Sequence, residues 1–268
     1  MRCFVSGIGI LAAGFEGWTA SADILAGRIA YVPQPLAPRP PDILPSTERR
    51  RVGLSARLAV LVSLEATRAA GEPAENLASV FGSSNGDPAV VHAILEALAT
   101  PEKQVSPTQF HNSVHNAAAG YWGIGTGSRA DTTSIGCYDF TFGATMLQAA
   151  AELVSGGRAV LACIYDAPMP EPLAALRPTP APFAAAFVLT SERRASSTAR
   201  LELEFTARPA RPTGVPAIPC LAELMHGNPA ARSLPLLALL ARQQSGSVET
   251  ACHDDACLTI EVEPCPQA

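Results

Sequence analysis

Residues 106–166 read SPTQFHNSVHNAAAGYWGIGTGSRADTTSIGCYDFTFGATMLQAAAELVSGGRAVLACIYD, and this stretch decides the fold. It passes from a polar turn through a small-residue helix into a short strand over 132–135. A tight corner follows, then a helix over 140–157 and a second apolar strand over 159–165. In that helix Glu152 is the only charged residue, and Phe142, Met146, Ala150 and Leu153 make one apolar face. Its other faces are apolar or small too, which predicts a buried helix. A strand feeding a sharp corner and then a buried helix is a common way to present a nucleophile. Cys137 and Asp139, at the corner, are therefore the first candidates for chemistry.

Upstream, residues 2–12 read as a buried strand whose end, Gly7-x-Gly9-x-x-Ala12, has the spacing of a dinucleotide fingerprint. That motif needs a helix directly after the glycines and an acid about 20 residues on. Phe15, Glu16, Gly17 and Trp18 intervene, and residues 29–36 contain no acid, so the motif reads as a glycine-rich strand end. A short helix is expected over 18–25, and prolines at 33, 35, 38, 40, 41 and 45 mark an extended loop. Helical pattern resumes near Thr47 with an apolar stripe of Leu54, Leu58, Leu61 and Leu64, and Arg57, Glu65 and Arg68 lie off it. Gly71 and Pro73 end that helix. A strand over 77–81 leads to a loop, 82–87, that caps a helix over 88–98. The helix expected over 112–122 carries Ala117, Ala118, Ala119 and Gly120, whose small size allows close approach at an interface.

Downstream, prolines at 168, 170, 172, 178, 180 and 182 mark an irregular link. Strands over 184–190 and 201–205 are expected to form a hairpin joined by the polar segment SERRASSTA. A second Pro-rich stretch, 208–219, precedes short helices over 221–225 and 234–241 and a last strand over 258–262. Alternating strands and helices predict an α/β layered fold.

The chain has 268 residues, 48% hydrophobic and 16% charged, enough for a sizeable core and low in polar surface. Such a surface favours a buried partner interface. A net charge of -5 argues against a nucleic-acid footprint, and the one basic cluster, Arg49 to Arg51, reads as a helix start or surface patch. Seven cysteines at scattered positions show no C-x-x-C and no zinc spacing, which predicts reduced core thiols and a cytoplasmic setting. No apolar run of 18 residues occurs, so no membrane span is expected.

The central stretch resembles the N-terminal half of the β-ketoacyl synthases, condensing enzymes of fatty-acid and polyketide synthesis with a thiolase-like fold. The likeness extends to the opening RCFVSGIGIL, to ERRR at 48–51 and to PFAAAFVLTSE at 182–192, and covers residues 1 to about 205. It implies a single N-terminal-half ketosynthase-like domain, with a mixed sheet and helices on both faces. Residues 206–268 would be a C-terminal extension packed on the same domain. In the family register the condensing cysteine falls on Asp139, and Cys137 lies two residues early. A thioester needs a thiolate, and an aspartyl anhydride is labile. Beyond the corner only His226 and His253 occur, and neither context fits the family's histidine motifs. The resemblance thus implies a non-catalytic chain-length-factor type of subunit, similar to those of aryl polyene clusters. Such a subunit pairs as a heterodimer with an active ketosynthase, meets acyl carrier protein only through the complex, and needs no cofactor. The alternative is a minimal acyltransferase or condensing enzyme using Cys137.

Asp139 reads as the N-cap of the helix after it, with a pocket-lining carboxylate as the alternative. Cys137 reads as a small apolar residue at a strand end. His111 and His115 stand four apart on one expected helix, as a metal pair would, but no HExxH pattern surrounds them and polar interface residues are the preferred reading. The resemblance assigns Thr108, Gln109, Phe110, His111, Ser113, His115, Tyr121, Thr132, Thr133 and Ser134 to the interface and tunnel. Phe110 is the expected tunnel-wall residue. Strand 132–135 is expected to pair with its equivalent in the partner.

Overall fold

The computed structural model describes residues 1–211 and 219–266. The opening strand β1, Arg2–Ala12, turns through β2, Phe15–Glu16, into α1, Trp18–Leu25. The proline run stays extended until α2, Ser46–Arg49, and α3, Leu54–Ala70. Gly71, at φ 70°, ends α3 in the left-handed region that favours glycine. β3, Ala78–Gly82, leads to α4, Pro88–Ala99, whose N-cap Asp87 accepts a hydrogen bond from the Val90 N–H. Then come α5, Pro107–Asn112; α6, Ala117–Thr126; β4, Thr132–Ile135; α7, Thr141–Gly156; and β5, Val160–Asp166. The chain closes with β6, Phe183–Thr190; β7, Ala199–Thr206; α8, Pro219–Gly227; α9, Leu234–Arg242; β8, Gly246–His253; and β9, Ala256–Pro264.

Among the described residues the strands form one sheet in the order β4-β3-β5-β6-β1-β7-β9-β8, with β2 on β1. β4, β3 and β5 run parallel, while β6 is antiparallel to both β5 and β1. The sheet is mixed and lies between two helical layers. On one face α3 and α6 bury Leu58, Val62, Tyr121 and Trp122 against Phe81, Cys163 and Val188. On the other, α7 and α9 bury Phe142, Met146, Leu236 and Leu240 against Ile10, Ile164 and Phe187.

Four local expectations change. The stretches 184–190 and 201–205 do not pair with each other, because β1 lies between them and pairs with both. The SERRASSTA segment therefore crosses over β1 at its register shift between Val5 and Gly7, where Ser6 Oγ meets Thr190 Oγ1 and Ser197 Oγ at 2.8 and 3.0 Å. The buried residues of α3 are Ser55, Ala56, Leu58, Ala59, Val60, Val62, Ser63, Ala66, Thr67 and Ala70, while Leu54, Leu61 and Leu64 are half-buried. Small residues face the sheet there because Gly7 and Gly9 bring β1 against the α3 backbone. A β-carbon at Gly9 would lie 2.1 Å from the Val62 carbonyl oxygen. The helix expected over 112–122 is two helices broken at 113–116. Finally, α7 is enclosed all round only over its first six residues, and Val154, near its end, is exposed.

The segment after β7 continues the same sheet through β9 and β8, the latter missed because GSVETACH alternates weakly. β8 also closes over α7, since a β-carbon at Gly143 would lie 2.4 Å from the Ala251 carbonyl oxygen. Most of the proline-rich stretch expected over 208–219 lies outside the described residues.

Candidate functional site at the β4–α7 corner

The corner is built by residues 136–140 between β4 and α7. Tyr138 takes φ 52°, a conformation unusual for a residue with a side chain, and turns the chain sharply into a 3-10 turn over Tyr138–Phe140. Asp139 stands at the tip. Its expected capping role is not found. The residue before α7 is Phe140, and no side chain caps the helix. Asp139 instead bridges two arginines. Its Oδ1 accepts from Arg177 Nη2 at 2.5 Å, and its Oδ2 lies 3.0 Å from Arg232 Nη2. A carboxylate held by two guanidinium groups gains more than the one N–H bond a cap offers, and that preference overrides the local rule.

Arg177 comes from the proline-rich link after β5, and Arg232 from a 3-10 turn, Pro229–Ser233, just before α9. Arg177 also donates to Ser84 Oγ at 2.9 Å and lies 3.7 Å above the Tyr138 ring. Behind it stands Asp166, the last residue of β5 and fully buried. Its Oδ1 accepts from Ser83 Oγ, Ser84 N and Asn85 N at 2.9, 2.9 and 3.0 Å. Its Oδ2 has no partner among the described residues. Burial raises its pKa to about 7, although those three donors and the charge of Arg177 pull the other way. A polar chain thus runs from Arg232 through Asp139, Arg177 and Ser84 to Asp166. Neither arginine was singled out from sequence, nor was Asp166 as a site residue. An acid ending the otherwise apolar run VLACIYD was the available signal for Asp166.

Cys137 is half-buried, no hydrogen bond to its Sγ forms among the described residues, and burial pushes its thiol pKa up. That is the opposite of what a nucleophilic cysteine needs. Alkylation of Cys137 by iodoacetamide near neutral pH should be slower than that of a free thiol such as glutathione. Faster alkylation, read by peptide mass, would revive the catalytic alternative.

His111 and His115 do not form a pair. His111 ends near the C-terminus of α5, and His115 lies in the following turn with Nε2 2.9 Å from the Ser83 carbonyl oxygen. His226 is exposed on α8, whereas His253, at the end of β8, rests against Phe140 with ring centroids 6.2 Å apart. Among the described residues no group of three or more His, Cys, Asp or Glu could hold a metal, and no helix is long and apolar enough to cross a membrane.

The remaining candidates lie on α5, on α6 and on the edge strand β4. Phe110 is 68% exposed, Thr108 and His111 are exposed, and Gln109 is half-buried. Ser113 Oγ donates to the Phe110 carbonyl, so it ends α5 rather than facing outward freely. Tyr121 is buried and donates to Asn112 Oδ1 at 2.9 Å, which places it in the core with its edge against a groove of about 160 Å³. That groove is lined by His111, Val114, Ala117, Gly120 and Ile124 among others. In β4, Thr132 Oγ1 meets Ser79 Oγ and Thr133 Oγ1 donates to Glu152, while Ser134 Oγ has no partner among the described residues.

Comparison with known families places this geometry. A model of the β-ketoacyl synthase N-terminal domain matches residues 25–247, well over half of the chain. The chain belongs to the β-ketoacyl synthase N-terminal domain family. Solved structures agree in fold. A ketosynthase (ApeO) in complex with its chain length factor (ApeC) from Xenorhabdus doucetiae is 19% identical, with a TM-score of 0.73 over 97% of this chain and 99% of that one. The ishigamide ketosynthase/chain length factor is 13% identical, with a TM-score of 0.70 over 99% and 100% of the two chains. A complex of a type II polyketide acyl-carrier protein with its ketosynthase, AntDE:AntF, is 12% identical, with a TM-score of 0.73 over 98% and 99%. A comparison with curated proteins gave no match. The thiolase-like fold and the ketosynthase resemblance of residues 106–166 are therefore both upheld. In this family member the corner tip carries an aspartate locked by two arginines.

Proposed function

We propose that this ketosynthase-like chain is a non-catalytic subunit, a chain-length factor, that pairs with an active β-ketoacyl synthase and shapes the tunnel receiving the growing chain. The product class is an aryl polyene or a related polyketide or fatty acid. The observation that carries the reading is Asp139. In the register the resemblance implies, the place of the family's condensing cysteine holds a carboxylate, and that carboxylate is engaged by Arg177 and Arg232. Cys137 offers no activated substitute. Acyl carrier protein would meet this subunit only through the complex. Six free cysteines among the described residues accord with a reducing, cytoplasmic setting. We take residues 1–205 as the ketosynthase-like domain and 206–268 as an extension packed on it.

Pairing would use β4. It ends the sheet. At its two ends the Ser79 N–H donates to the Asp131 carbonyl and the Ser83 N–H to the Ile135 carbonyl, so by parallel alternation the N–H groups of Thr132 and Ser134 face outward. An open edge of that kind is a template for another strand. Val91, Leu95, Leu98, Phe110, Val114 and Ile124 are exposed on α4 to α6, an apolar surface suited to burial. Co-expression with the ketosynthase of its own gene neighbourhood should give a stable heterodimer by light scattering. Ser134→Pro removes one outward N–H and should abolish pairing while the isolated chain stays folded. A wild-type chain that remains monomeric beside the ketosynthase sinks the proposal. Within the complex, Phe110→Ala should shift products toward longer chains, because a bulky ring at the tunnel end limits depth. An unchanged product profile removes Phe110 from that role.

A further inference from the structure

We propose that the corner is a two-arginine carboxylate site which the chain fills with its own Asp139, keeping it closed to acids from outside. Each carboxylate oxygen of Asp139 has its own guanidinium, Arg177 at 2.5 Å and Arg232 at 3.0 Å. The three side chains are 19–33% exposed, so water shields the contacts only in part. Arg177 does not need Asp139 to stay in place. Ser84 Oγ accepts from its Nη2, and its guanidinium carbon lies over the Tyr138 ring. Its Nε is buried and has no partner among the described residues. Nε and Nη2 form one edge of the guanidinium, the edge that grips a carboxylate by two parallel hydrogen bonds. Asp139 uses only Nη2, so a donor is left idle beside it. The site is thus a preorganised cradle with more capacity than its resident uses.

The cradle also links distant parts of the chain. Asp139 belongs to the corner, Arg177 to the link after β5, and Arg232 to the turn before α9. Removing the aspartate leaves the two guanidinium groups with no carboxylate between them. A small carboxylate supplied in solution would then take its place and use the idle Nε as well. The property is independent of pairing with a ketosynthase, since this chain alone displays it.

Thermal unfolding of the purified full chain tests this with sodium acetate as the probe. Asp139→Ala should lose several degrees of Tm in chloride buffer. Acetate at equal ionic strength should restore most of that loss, rising with concentration as a bound ligand requires. Wild type and Asp139→Ala/Arg177→Gln should respond to acetate only as much as each other. An equal acetate response in all three proteins overturns the site. Where Asp139→Ala does not fold, a double-mutant cycle of Asp139→Asn and Arg177→Gln replaces it. Strong non-additivity in Tm supports the cradle, and simple additivity overturns it.

Discussion

Gly9→Ala should leave the chain without a soluble folded state. A single methyl group at this position meets the Val62 carbonyl oxygen at 2.1 Å and its carbon at 2.9 Å. Both are backbone atoms of α3, so no side-chain rotation relieves the clash. The helix must lift off β1, and with it goes the layer that buries Leu58, Val62 and Ala66. Ordinary overpacking costs about 1–3 kcal/mol, whereas displacing a central helix threatens the whole of a stability of about 5–15 kcal/mol. Gly7→Ala should fail in the same way, with its methyl 2.0 Å from the Ala66 carbonyl oxygen. Gly156→Ala is the control. No atom lies within 4 Å of its new methyl, and the helix end should gain slightly from alanine. Expression yield and circular dichroism of the three variants decide the matter. A soluble, cooperative Gly9→Ala protein would mean that β1 and α3 do not pack this way. The same contact accounts for the Gly-x-Gly spacing. The glycines serve a helix pressed on a strand, and no phosphate is needed to explain them.

Stability should fall as the solution is taken from mildly acidic to neutral and above. Burial lifts the Asp166 carboxyl from the ordinary 3.8 to about 7, and it also raises Asp87 and Glu65. A group whose pKa is higher in the fold keeps its proton there after the unfolded chain has lost it. The folded state then binds more protons across the window from 3.8 to about 7, so its stability declines as pH rises through that window. For Asp166 alone the full effect is on the order of 4 kcal/mol, or about 10 °C in Tm. Glu249 acts at the other end. Its pKa is lowered from 4.5 to about 2, first by its hydrogen bond from Arg208, so its contribution is lost as the pH falls from 4.5 to about 2. The Tm maximum should therefore lie near pH 4 to 5, on the order of the ordinary carboxylate values. Asp166→Asn keeps an acceptor for Ser83, Ser84 and Asn85 but cannot ionise. It should flatten the profile, falling below wild type in acid and rising above it at pH values over about 7. Parallel profiles for the two proteins would refute the assignment.

Local chemistry made much of this architecture readable. Apolar runs bounded by glycine and proline identified β1, β3, β5 and α7, and Asp87 before Pro88 marked the start of α4. What escaped was set by distance along the chain. The β6–β7 hairpin looked sound because the two strands are neighbours in sequence, yet β1 inserts between them from nearly 200 residues away. Asp139 obeys every local rule for a cap, and nothing nearby announces Arg177 or Arg232. Each arginine sits alone among prolines, alanines and leucines, where an unpaired charge would be costly. That isolation is the trace a long-range ion pair leaves in a sequence. Side-chain placement at the open edge was legible only as a region, because α5 and α6 break where a single helix was expected.

The position of β1 also sets the order in which the molecule can assemble. It is the earliest described strand to be synthesised, and both of its long neighbours, β6 and β7, emerge from the ribosome after residue 182. Met1 itself is held by Leu203, with its N–H group 2.6 Å from that carbonyl. Until then a strongly apolar strand has α3 to rest on but no partner along either long edge. Pairings so distant make folding slow and expose the nascent chain to aggregation. Ribosome-bound chains stopped before residue 183 should thus remain protease-sensitive in β1, and protection should appear only once β6 is free of the exit tunnel.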